Sequence, residues 1–89
     1  MKKHVNIRVT GRVQNVGFRL AAQKAASERH VSGFVKNEPD GSVYLEAEGD
    51  DDDVDSFVKW CHHGPAWASV EDINISESSS EGYSTFKIR

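Results

Sequence analysis

Apolar and polar residues alternate near the start of the chain: Val5, Ile7 and Val9 fall on one side, Asn6, Arg8 and Thr10 on the other. A period of two predicts a half-buried strand over residues 4–10. From Phe18 the period changes. Apolar positions 18, 21, 22, 25 and 26 recur with helical spacing, and Gln23, Lys24, Ser27 and Glu28 lie opposite. That is an amphipathic helix, alanine-rich and so able to pack close to a sheet. HVSGFVKN (30–37) reads as a second strand interrupted by Gly33. EPDG (38–41) reads as a turn, because proline presets φ and Asp40-Gly41 tolerates the tight positions that follow. Val43, Leu45 and Ala47 then alternate with Ser42, Tyr44, Glu46 and Glu48, predicting a third strand in a hairpin with the second. Val54, Phe57, Val58 and Cys61 mark a second helix, which HGP (63–65) ends. ASVEDINIS (68–76) gives a fourth strand, SSSEG (78–82) a polar loop, and YSTFKIR (83–89) a short strand or the last leg of a hairpin.

The order is therefore β-α-β-β-α-β, with room for a fifth strand. Two such units predict an α+β sandwich, an antiparallel sheet with both helices on one face. The 89 residues suit one domain, 1–89, and 37% hydrophobic with 28% charged residues suits a folded chain over a disordered one. No apolar run approaches the ~18 residues of a membrane span, and MKKHVNIRV lacks the apolar core of a signal peptide. Cys61 is the single cysteine, which excludes an internal disulfide and a thiolate-based zinc site and fits a reducing, cytoplasmic setting. A net charge of −3 leaves no global positive field for a nucleic-acid backbone, and no strand carries a basic, aromatic face. A small anionic ligand stays open, since local dipoles and one arginine outweigh a mildly acidic surface.

The stretch GRVQNVGFR (11–19), between the first strand and the first helix, carries the candidate chemistry. A glycine-containing loop running into a helix leaves backbone N–H groups without partners, and the positive end of the helix dipole lies behind them. Such a concavity attracts phosphate or carboxylate. Arg19 adds a permanently charged planar fork suited to phosphate oxygens. The stretch is not a Walker A loop, because five residues separate Gly11 from Gly17 and Phe-Arg stands where Lys-Ser/Thr is needed. It contains no G-x-G-x-x-G. Taken alone, it also fits an ordinary connector with a solvated arginine.

Read with GFVKNEPDGSVYLEAEG (33–49), the stretch resembles the acylphosphatase family. The first family pattern, G-x-V-Q-G-V-x-[FY]-R, is met at Gly11, Val13, Gln14, Val16, Phe18 and Arg19. The second, G-[FYW]-[AVC]-[KRQAM]-N-x3-G-x-V-x5-G, is met at Gly33, Phe34, Val35, Lys36, Asn37, Gly41, Val43 and Gly49. The closing FKIR is similar to the family's end. The resemblance implies a ferredoxin-like α/β sandwich that hydrolyses the carboxyl-phosphate bond of acyl phosphates as a monomer, with no metal or cofactor. It also implies that Arg19 binds phosphate, that Asn37 holds the attacking water, and that Gln14, Asn15, Val16, Gly17, Phe18 and Arg19 form the phosphate loop. Asn15 stands where the pattern has glycine. It is the mildest substitute for a left-handed backbone, and either points outward or crowds the phosphate. Leu20 replaces an aromatic common after Phe-Arg, which alters packing near the acyl group. A non-catalytic anion-binding or regulatory module on the same fold is the alternative reading. The acylphosphatase-like domain of hydrogenase-maturation carbamoyltransferases is a third, disfavoured by the initiator methionine, the clean end and the lack of cysteine-rich segments.

Other conspicuous residues have plainer readings. Asp50 to Asp53 do not match the EF-hand spacing and are expected to cap the second helix and to favour its start through the dipole. His62 and His63 suit that helix's negative end. Phe57, Trp60 and Trp67 read as core or rim packing, and Cys61 as a buried, unreactive thiol. Lys36 and Arg12 flank the candidate site in sequence, either as attractors of substrate or as solvated charge.

Overall fold

Seven elements make up the computed structural model, which describes residues 2–89. In chain order they are β1 (Lys2–Arg12), α1 (Phe18–Glu28), β2 (Ser32–Asn37), β3 (Val43–Asp50), α2 (Asp51–His63), β4 (Ser69–Ser78) and β5 (Phe86–Ile88). The strands form one sheet in the order β4-β1-β3-β2-β5. Val5, Ile7 and Val9 of β1 and Val43, Leu45 and Ala47 of β3 pair across the sheet centre, and all six are buried. The alternation in the sequence thus identifies the core face.

Both helices cover that face. Phe18, Ala22, Ala25 and Ala26 of α1 and Val54, Phe57 and Cys61 of α2 join the strand residues in one buried cluster. Ala21 is half-buried at its margin. The arrangement is the expected ferredoxin-like α+β sandwich, with one difference. The sheet is mixed, because β5 runs parallel to β2 while the other pairs are antiparallel. The reason is the route of the chain. β4 lies on one edge, so the segment after it crosses the sheet to reach the free side of β2 on the other.

Gly11 fixes where β1 leaves its regular pairing. The β1–β4 register shifts between Thr10 and Gly11, the glycine has a φ of +121°, and an added Cβ would lie 2.3 Å from the Ser69 carbonyl oxygen. Only glycine fits such a bulge. From there Arg12 turns the chain toward α1.

The second helix starts at Asp51, with Asp51, Asp52 and Asp53 in its first turn, where negative charge complements the dipole, and with His62 and His63 in its last; the expected side-chain capping bond at the N-cap, Asp50, is not made. Cys61 is fully buried and burial pushes its thiol pKa far up, so it is a packing residue. Trp60 packs on Phe18 and Phe57, at centroid distances of 5.5 and 6.0 Å. Trp67 departs from the expected packing role: it is 80% exposed, in the turn that follows the Gly64-Pro65 exit from α2. No described helix is long and apolar enough to cross a membrane.

Candidate active site

The link from β1 to α1 is a left-handed loop. Asn15 has a φ of 61° and Gly17, the N-cap of α1, has a φ of 76°. Left-handed residues in a short loop curl the backbone, the kind of bend from which amide nests are built. The loop is held from both flanks. The Gln14 side-chain Nε2 donates to the main-chain oxygens of Glu38 and Ser42, at 2.8 and 2.9 Å, tying the loop to the β2–β3 turn. Val16 packs against the core.

The start of α1 carries no compensating charge. Its first backbone bond runs from the Ala21 N–H to the Gly17 oxygen, so the preceding amides have no acceptor within the helix. Gly17 offers no side-chain cap, and no acid lies in the first turn. The contrast with α2, whose first turn holds three aspartates, is direct. The sequence therefore leaves the positive end of one helix open and fills the other.

That open end faces a hollow of about 240 Å³, bordered by Val13, Asn15, Gly17, Phe18, Arg19, Leu20, Asn37 and Ile88. Arg19, in the first turn of α1, is exposed, and its Nη1 lies 3.4 Å from the Arg89 main-chain oxygen. Asn37 is the last residue of β2, half-buried, and its amide makes no hydrogen bond to a described residue. The second and first sequence patterns thus meet at one place, although 18 positions separate Arg19 from Asn37.

Of the loop residues expected to hold an anion, Asn15, Gly17, Phe18 and Arg19 border the hollow. Gln14 and Val16 do not contribute side chains to it: one braces the turn and the other fills the core. Lys36 lies on the other face of the sheet, 3.8 Å from Glu38 and over the Tyr44 ring at 5.7 Å, so it is not beside Arg19. Ile88 and Arg89 were not singled out as site residues in the sequence. Ile88 borders the hollow, and the Arg89 main-chain oxygen lies near Arg19, only because β5 pairs with β2, where the Arg89 N–H donates to the Val35 oxygen at 2.8 Å. A three-residue strand gives no periodic signal that could have placed them. No group of three or more His, Cys, Asp or Glu side chains able to hold a metal occurs among the described residues.

A protein-family model described as acylphosphatase matches residues 5–88. An acylphosphatase from a Nocardioides species is 44% identical over 89 residues, covering 100% of this chain and 90% of its own length. The crystal structure of an acylphosphatase from Bacillus subtilis superposes with a TM-score of 0.95 at 42% identity, covering 100% of this chain and 99% of that one. A Coxiella burnetii acylphosphatase gives 0.95 at 36% identity, with 99% and 93% covered. Fold, spaced patterns and full-length relatives agree, and the chain belongs to the acylphosphatase family, enzymes that hydrolyse acyl phosphates.

Proposed function

We propose that the start of α1 binds the phosphoryl group of an acyl phosphate and that Asn37 positions the water that attacks it. Water adds to phosphorus, the bond from phosphorus to the acyl oxygen breaks, and a carboxylate and inorganic phosphate leave. The carboxylate is a good leaving group and departs without strong protonation, so little general-acid chemistry is needed. Positioning and neutralisation of the phosphoryl charge carry the work. The amides from Asn15 to Arg19 and the Arg19 guanidinium supply that neutralisation. Fixed dipoles cost no reorganisation as the reaction proceeds. Asn37 accepts a hydrogen bond from the water through its carbonyl oxygen and turns its NH₂ to the anion.

The observation that carries this reading is the shared hollow: Arg19 and Asn37 border one cavity at an uncapped, acid-free helix start. A cytoplasmic monomer is the setting we propose for it, in keeping with one buried, unpaired thiol.

Phosphate release from benzoyl phosphate tests the roles. Arg19→Gln is expected to lower kcat/KM by on the order of 10²–10³, the scale of losing one key electrostatic contact. Asn37→Ala is expected to lower kcat more than it weakens competitive inhibition by phosphate. Full activity in Arg19→Gln, or inhibition lost with kcat intact in Asn37→Ala, contradicts the assignment. Phosphate binding with no hydrolysis at all in the unmodified protein favours the non-catalytic module instead.

A further inference from the structure

Four large hydrophobic side chains stand out in solvent among the described residues: Leu20, Trp67, Ile75 and Ile88. Two of them, Leu20 at 68% exposed and Ile88 at 40%, border the same hollow as Asn15, Arg19 and Asn37. They arrive from distant parts of the chain, the first turn of α1 and the final strand. Leu20 also borders an adjoining apolar groove along α1 with Gly17, Ala21 and Gln23. The border of the cavity is therefore of two kinds: the start of α1, Arg19 and Asn37 bring polar groups, and Leu20 and Ile88 bring two branched aliphatic side chains.

An acyl phosphate has the same division, a doubly charged head joined to a carbon chain. We propose that Leu20 and Ile88 form the acyl subsite and select acyl phosphates whose acyl group extends beyond acetyl into an alkyl or aryl chain. This rests on the phosphoryl placement proposed above. With the head held at the start of α1, the acyl group leaves the hollow over the side chains that border it. Neither side chain gains by facing water, whereas each loses apolar exposure when a chain lies across it. Contact with a part of the substrate remote from phosphorus persists unchanged through the reaction, so it acts mainly on KM.

Acetyl and butyryl phosphate separate this contact from reactivity, because their leaving carboxylates have nearly the same basicity. The unmodified enzyme is expected to favour butyryl phosphate in kcat/KM by about tenfold, the lower end of what an apolar pocket gains from added methylenes. In the Leu20→Ser, Ile88→Thr double variant the ratio is expected to fall toward one, chiefly through KM for butyryl phosphate. Butyrate is likewise expected to inhibit the unmodified enzyme more tightly than acetate, and the variant equally with both. Both positions are exposed, and threonine keeps a β-branched residue in β5, so the fold is expected to survive. Hydrolysis of both substrates at equal kcat/KM by the unmodified enzyme overturns the subsite and leaves the phosphoryl site standing. So does an unchanged ratio in the double variant. Failure to hydrolyse either substrate removes the phosphoryl reading, and the subsite with it.

Discussion

Asn15 shows how much of the site rests on single backbone angles. Its φ of 61° lies between two anchored neighbours, Gln14 tied to the β2–β3 turn and Val16 packed against the core. An ordinary side chain pays about 1–2 kcal/mol in that conformation, and asparagine less. Asn15→Ala is therefore expected to lose about 1 kcal/mol in urea denaturation relative to Asn15→Gly. Equal stabilities of the two variants would mean the loop relaxes freely and is not preorganised. The sequence made the left-handed position legible through the glycine expected there, because asparagine is the residue that stands in for glycine. It left open whether the side chain points away. The structure makes Asn15 exposed and also a border of the hollow. Gln14 was legible as a pattern residue only. Its partners are main-chain oxygens 24 and 28 positions away, which no local reading supplies.

At the scale of elements, β3 carries the largest departure from simple alternation. Glu46 and Glu48 fall on the side opposite the helices, which the pattern assigns to solvent, yet Glu48 is 1% exposed. The segment between β4 and β5 crosses over them. Glu48 accepts from the main-chain N–H groups of Glu81 and Gly82, at 2.6 and 3.1 Å, and Tyr83 stacks on His4. His4, buried on β1, has Nδ1 at 2.9 Å from Glu48 and Nε2 at 2.9 Å from Glu46. Glu46 also accepts from Tyr44 and Tyr83, at 2.7 and 3.2 Å. A ring with carboxylates on both nitrogens is satisfied when both nitrogens carry protons, that is, as the imidazolium.

The pH dependence follows. Burial alone lowers the His4 pKa, but the bonds to Glu48 and then Glu46 outweigh it, and the folded value lies above 6.5. Burial raises both glutamates, yet Tyr44 and His4 hold Glu46 below 4.5, and His4 with the Glu81 and Gly82 amides holds Glu48 below it. The histidine's contribution is complete below pH 6.5 and is lost as pH rises through its folded value. The glutamates' contributions are complete above pH 4.5 and are lost as pH falls through theirs. Thermal melting is thus expected to peak between these limits and to fall on the alkaline side as His4 loses its proton. In His4→Gln that alkaline slope is expected to flatten above pH 6.5. A melting temperature that rises through that range in the unmodified protein would show that the ring is neutral when folded.

Over the whole molecule, the chain's last strand joins stability to the site. Phe86 is buried against Phe57 at a centroid distance of 5.5 Å, two residues before Ile88 reaches the hollow. Phe86→Ala is expected to cost about 3–5 kcal/mol in denaturant unfolding and, by loosening β5, to raise KM for acyl phosphates. A large stability loss with KM unchanged would separate β5 from substrate binding. All seven elements were legible as elements: periodic runs announce β1, β3 and both helices, the turn places β2, and residues 68–76 and 83–89 read as the strands that become β4 and β5. The parallel edge pairing was not, since three residues carry no register information and topology depends on a crossing over the sheet. Spaced patterns singled out Arg19 and Asn37, but the hollow they share had to come from the fold.

The most direct test of the proposed phosphate site is a titration of the unmodified protein with inorganic phosphate, followed through its amide nuclear magnetic resonances. The account predicts that the backbone N–H signals from Asn15 to Arg19 and the Asn37 side-chain NH₂ move together, saturate with one dissociation constant, and move much less in Arg19→Gln. Saturable shifts centred elsewhere, with the α1 start unmoved, would contradict it.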